Sequence, residues 1–212
     1  MTALKKTYLL IGLLCFCSTI NAQLIDSIAD SFKHKPTLYF NWGSQYSFIS
    51  NEFANIKWVK AGVDYAGTTK IGIGYNWLAP NPEKIKNIEG IYYNSFLHFN
   101  YGSVFIEYSY WKTYRWEASI PVQIGIGKAY YSYVDNYYIK QKTSKSWFIL
   151  YEPITTITYR FLRYFGAGGG IGYRLVLMDR KDIKETLASP LLVIKTKLFF
   201  GDLWHDTKNL FK

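Results

Sequence analysis

The chain has 212 residues, 25 basic against 15 acidic, and 41 aromatic side chains (20 Tyr, 14 Phe and 7 Trp). The bases are scattered, so they read first as solubilising surface charge, and anionic lipid headgroups rather than nucleic acid are the expected partners. Only the extreme N-terminus carries a long apolar run, which excludes a membrane-spanning helix in the rest of the chain but not a spanning barrel, whose strands hide their apolar face in alternation.

The first element is a secretory signal peptide over residues 1–22. Lys5 and Lys6 form a basic start, Tyr8 to Phe16 a short apolar run, and Ser18 to Ala22 a small, polar cleavage region, so the mature chain begins at Gln23. Cys15 follows Leu14 and Cys17 follows Phe16, neither being the small residue that lipid attachment requires. Both cysteines leave with the signal. The mature chain then has no thiol for a disulfide or a Cys-ligated metal, and no cofactor motif is present.

Residues 23–36 form an N-terminal periplasmic segment. Leu24, Ile25, Ile28 and Phe32 recur at helical spacing before Pro36, as in a short amphipathic helix. From Thr37 the period becomes two. Val59, Ala61, Val63 and Tyr65 alternate with Lys60, Gly62 and Asp64; Ile71, Ile73, Tyr75 and Trp77 alternate with Gly72, Gly74 and Asn76. The same pattern returns over Trp116 to Gly127 and over Phe165 to Leu177, where Gly166, Gly168, Gly170, Gly172 and Arg174 share one face. A face of glycines and charges packs a soluble sandwich poorly, whereas a membrane barrel turns it to the lumen and its apolar face to lipid.

The spacing predicts eight strands at 37–50, 57–66, 69–79, 94–111, 115–132, 146–161, 165–178 and 190–201. They make an all-β, antiparallel, up-and-down transmembrane β-barrel over 37–201, with a tail at 202–212. Short turns fall near Gly67-Thr68, Lys112 to Tyr114 and Leu162 to Tyr164. Longer connections fall at Asn51 to Ile56, Pro80 to Tyr93, Val134 to Lys145 and Asp179 to Ser189. Short periplasmic turns, long outer loops and an even strand number place both termini in the periplasm. In the fourth strand the apolar phase moves from Leu97, Phe99 and Tyr101 to Val104, Ile106, Tyr108 and Tyr110, and Gly102 is read as a bulge that keeps one long strand. Two aromatic belts are expected. The periplasmic one includes Tyr39, Tyr65, Tyr110, Trp111, Tyr114, Trp116, Tyr159, Phe161, Tyr164, Phe165 and Phe200. The outer one includes Phe48, Trp58, Trp77, Tyr92, Tyr93, Tyr130, Tyr131 and Trp147.

The chain resembles the small outer-membrane β-barrel proteins of diderm bacteria, the outer membrane protein β-barrel domain group. The resemblance is carried by Asn21-Ala22-Gln23, the segment Trp116 to Gly125, the stretch Gly168-Gly169-Gly170-Ile171-Gly172-Tyr173-Arg174, and the closing Lys197-Leu198-Phe199-Phe200-Gly201. It implies a monomer in the outer membrane that contacts lipid and lipopolysaccharide and is inserted by the barrel assembly machinery. It is nearly silent on activity. Such barrels often end on an aromatic residue of the last strand; here Phe200 or Phe211 would serve.

The lumen face collects Lys60, Asp64, Glu107, Glu117, Glu152, Arg174, Lys195 and Lys197. A hairpin centred on Arg163 sets Glu152 opposite Arg174, with Lys195 approaching Arg174 from the next strand. Buried charges must be paired, and an eight-stranded interior holds little beyond side chains, so these residues read as a polar plug. The expected role is structural, surface-interacting or a narrow passage, without enzymatic activity. Two alternatives stand beside it: a lipid A acyl-modifying enzyme and a periplasmic lipocalin-like binder. For the enzyme, His98 is the one strand histidine, and Ser95, three residues away, falls on the opposite face.

Overall fold

The computed structural model describes residues 24–49, 52–79, 83–88, 91–135, 138–143, 145–179 and 187–199. The signal peptide at 1–22, the tail at 202–212 and the two candidate terminal aromatics, Phe200 and Phe211, lie outside the described residues. Helix α1 covers 24–31 and ends on its own chemistry: the Ser31 hydroxyl donates to the Ile28 carbonyl at 2.6 Å. Phe32 then meets the edge of Tyr65 at 4.9 Å, which ties the helix to the barrel rim.

Ten strands follow: β1 Pro36–Ile49, β2 Glu52–Tyr65, β3 Thr69–Leu78, β4 Glu83–Ile88, β5 Ile91–Lys112, β6 Trp116–Val134, β7 Lys140–Lys142, β8 Ser146–Arg160, β9 Phe165–Asp179 and β10 Ser189–Leu198. Eight of them close into a ring in the order β1-β2-β3-β5-β6-β8-β9-β10, each antiparallel to its neighbours. The seam is β1 against β10, from Phe40 opposite Leu198 to Tyr46 opposite Leu192. Strands β4 and β7 pair with the ends of β5 and β6, so two of the expected loops are partly strand. Of the expected loop at Asn51 to Ile56, the part from Glu52 onward is strand as well. Polar Asn51, Glu52 and Asn55 obscure an alternation in which Ala54 and Ile56 face inward and are buried.

At the end that carries the termini the turns are short. In the β2–β3 turn Ala66 and Gly67 have φ of 56° and 68°, and the Thr68 amide donates to the Tyr65 carbonyl. Two successive positive φ values make the type I′ turn that matches strand twist.

The outer face is predominantly apolar: Ile73 and Ile171 are each 68% exposed, and Val104, Ile126 and Leu177 are also exposed. The inner face holds the buried lysines and glutamates. A water-soluble barrel has the reverse arrangement, so the lipocalin-like alternative finds no support. Exposed Tyr110, Trp111, Tyr114 and Trp116 lie at the terminal end, and Phe48, Tyr92 and Trp147 at the loop end. Three residues expected in these belts are instead inside: Tyr39, Trp58 and Tyr131 are buried in the lumen. Alternation sends them inward, and their size fills the barrel.

Gly102 is not a bulge. β5 pairs with β6 without interruption from Ser95 opposite Tyr133 to Ser109 opposite Ser119, and the irregularity comes at Tyr110, between Ser109 and Trp111. The apparent change of phase has another cause. Leu97, Phe99 and Tyr101 point into the barrel, while Val104 and Ile106 point outward in the same unbroken period.

Glycine is required where the inner faces crowd. Gly62 sits opposite Gly72, and a Cβ on Gly72 would lie 2.7 Å from the Gly62 Cα and closer still to the Ala61 carbonyl oxygen. Gly72→Val is expected to cost about 1–3 kcal/mol through overpacking, read as a lower urea midpoint for the detergent-folded barrel.

Candidate functional site

Seven of the eight charged residues expected inside the barrel are buried there. Asp64 is only half-buried, near the terminal mouth. Two layers of ion pairs are built from strands that alternation turns inward.

The layer nearer the termini joins Lys70, Glu107, Glu117, Lys195 and Lys197. Lys70 pairs with Glu117 and donates to the Ser109 hydroxyl at 2.7 Å, and Lys197 meets the other Glu117 oxygen at 2.6 Å. Glu107 accepts from Ser119 at 2.7 Å and from Tyr39 at 3.0 Å, with Lys195 at 3.3 Å and Lys70 at 3.5 Å. Lys195 also donates to the Thr156 hydroxyl at 2.8 Å. Lys195 therefore does not approach Arg174 as expected: it lies opposite Gly168, while Arg174 lies opposite Ser189. Six residues of β10 separate the two heights.

The second layer is centred on Glu152. The register on either side, Tyr151 opposite Leu175 and Ile154 opposite Gly172, brackets Glu152 against Arg174, and the Arg174 Nε donates to Glu152 at 2.6 Å. Tyr101 donates to the same carboxylate at 3.0 Å, and Gln123 and Gln45 complete the ring around it. Arg174 and Glu152 are both 0% exposed. The guanidinium also lies over Phe99, 5.4 Å from its ring centre.

Phe99 opens a third, apolar layer toward the loop rim. It stacks on Phe148 at 4.6 Å with 8° between planes, and Ile49, Ile56, Leu78, Leu97, Ala129, Tyr131 and Leu150 surround the pair. Between the two polar layers Lys60 lies over Trp58 and Phe105 at 4.9 and 5.3 Å. It lines a cavity of about 10 Å³ with Asn41, Gln45 and Glu107, room for about one water molecule.

The residues that sequence reasoning missed are Lys70, Tyr39, Gln45, Tyr101 and Gln123. Lys70 was legible, because it shares parity with the glycine face of β3. Tyr39 and Tyr101 were not, since an aromatic residue in a barrel strand reads as lipid-facing. Among the described residues no group of His, Cys, Asp and Glu is arranged to hold a metal.

On the outer face, His98 bonds the Ser132 hydroxyl at 2.9 Å and stacks on Tyr130 at 4.8 Å. This pair was invisible to spacing, which offered only Ser95. Ser132 is 2% exposed, covered where β6 pairs with β7 at Lys142, so the hydroxyl is not open to an ester.

No family model and no curated protein matches this sequence. Among solved structures, the chain is similar to Neisserial surface protein A, with a TM-score of 0.57 and 10% identity over 78% of this chain and 99% of that one. The Yersinia pestis attachment invasion locus protein Ail matches with a TM-score of 0.49 and 9% identity, over 77% of this chain and 98% of that one. The N-terminal β-barrel domain of Pseudomonas aeruginosa OprF matches at 0.43 and 9%, over 77% and 98%. The inverted faces, the closed ring of eight strands and the likeness to the Neisserial barrel agree: the chain has the fold of the small outer-membrane β-barrel proteins.

Proposed function

We propose that the protein is a closed, non-conducting outer-membrane scaffold that holds its loop rim at the cell surface, with both termini in the periplasm. The reading rests on one observation: inward of the terminal mouth, side chains of the described residues fill the lumen. Two layers of mutually paired charges and an apolar layer stand in series, and the cavity between them has room for about one water. A passage needs a continuous polar path, and the Phe99–Phe148 layer interrupts it.

The purified barrel in a planar lipid bilayer is expected to give no conductance steps above the bare membrane. Discrete channel openings would end this reading in favour of a narrow passage. The lipid-modifying alternative predicts a change in the acyl profile of lipid A when the gene is deleted. We expect the two mass spectra to coincide, because Ser132 is covered. Orientation has its own test. Tyr138, 93% exposed between β6 and β7, is replaced in Tyr138→Cys. That variant is expected to react with a membrane-impermeant maleimide on intact cells, and labelling only after lysis would reverse the topology.

The partners that follow are outer-membrane lipids, lipopolysaccharide at the loop rim and, during insertion, the barrel assembly machinery. The molecule acts as a monomer.

A further inference from the structure

The outer wall of the barrel is not uniformly smooth. Across the β10-β1-β2-β3 wall, Ile194, Ser44, Lys57 and Trp77 stand in one row of opposed residues, all facing out. Ser44 is the small member of that row. Along β1 it lies between Trp42 and Tyr46, two large outward side chains. The result is a groove of about 470 Å³ lined by Ser44, by Lys57 and by the aromatic side chains of Phe40, Trp42, Tyr46 and Trp77. Among the described residues no acidic side chain lines it. Lys57 lies in the loop-end half of β2, the half that carries the outer aromatic belt.

We propose that this groove is a binding site for one lipid A molecule of the leaflet at the loop rim. One lipid phosphate meets Lys57 and the Ser44 hydroxyl, and one acyl chain lies between Trp42 and Ile194 toward Thr196. Charge selects the occupant. A lysine on a lipid-facing wall is stabilised by an anionic headgroup, and the aromatic walls offer apolar area to a chain. A second copy of the protein is the poorer fit, because a two-fold contact centred on the groove sets Lys57 against Lys57. The choice of lipid A over other anionic lipids rests on the topology proposed above, which puts the loop rim in the outer leaflet.

Native mass spectrometry of the detergent-folded full barrel tests it, with lipid A, phosphatidylglycerol or phosphatidylcholine added in equal amounts. One lipid A per chain is expected to be retained in preference to the other two. Lys57→Glu reverses the selecting charge and Ser44→Trp fills the groove, and each is expected to lower retention about tenfold. Lys57→Arg keeps it. Heat-dependent gel migration confirms that each variant is folded. Equal retention by wild type, Lys57→Glu and Ser44→Trp overturns the site. Equal retention of phosphatidylglycerol overturns the assignment to lipid A. Both readouts are independent of topology, which the Tyr138→Cys labelling decides separately.

Discussion

Glu152→Leu is expected to destabilise the folded barrel by about 3–5 kcal/mol, whereas Glu152→Leu with Arg174→Met costs far less. The single change leaves the Arg174 guanidinium fully buried without its carboxylate. Its Nη1 keeps only the Ser47 hydroxyl at 3.4 Å, and its Nη2 has no hydrogen-bond partner. Tyr101, Gln45 and Gln123 lose their shared acceptor in the same step. Removing both charges removes the uncompensated ion, so the double variant recovers most of the loss. It does not recover all, because the three polar donors remain. The measurement is equilibrium urea unfolding in detergent or lipid vesicles, followed by tryptophan fluorescence. A single variant within about 1 kcal/mol of wild type would show that the pair is not what holds this layer, given the larger cost expected for a broken buried pair.

Phe148→Ala is expected to cost about 3–5 kcal/mol, as for other buried aromatic truncations. Phe148 stacks face to face on Phe99 and meets the edge of Tyr101, whose centroid is 6.1 Å away. Truncation opens a cavity that the strand backbones cannot collapse to fill, since each is fixed by hydrogen bonds to two neighbours. The variant nevertheless stays silent in a planar bilayer, because the Glu152 and Glu107 layers still block the lumen. Conductance by Phe148→Ala would mean that the apolar layer alone seals the barrel. Together the two experiments separate stability from closure, which share the same side chains but not the same layers.

What the sequence by itself determined is what depends on neighbours along the chain. A period of two assigns faces, so Lys60, Glu107, Glu117, Glu152, Arg174, Lys195 and Lys197 were all legible as lumenal. Short turns are local too, and a hairpin centred on Arg163 carries Glu152 to Arg174 because the register of an antiparallel pair follows from its turn. The tertiary structure decided what depends on height in the barrel and on strands far apart in sequence. Lys195 meets Glu107 across 88 residues, and Lys197 meets Glu117 across 80, and no local pattern encodes either pairing. The same holds for Tyr39, Trp58 and Tyr131, which an aromatic-belt argument sends to lipid and the closed ring turns inward. Alternation says which wall of a strand a side chain leaves from. Only closure of the β1–β10 seam sets what it meets on the far side.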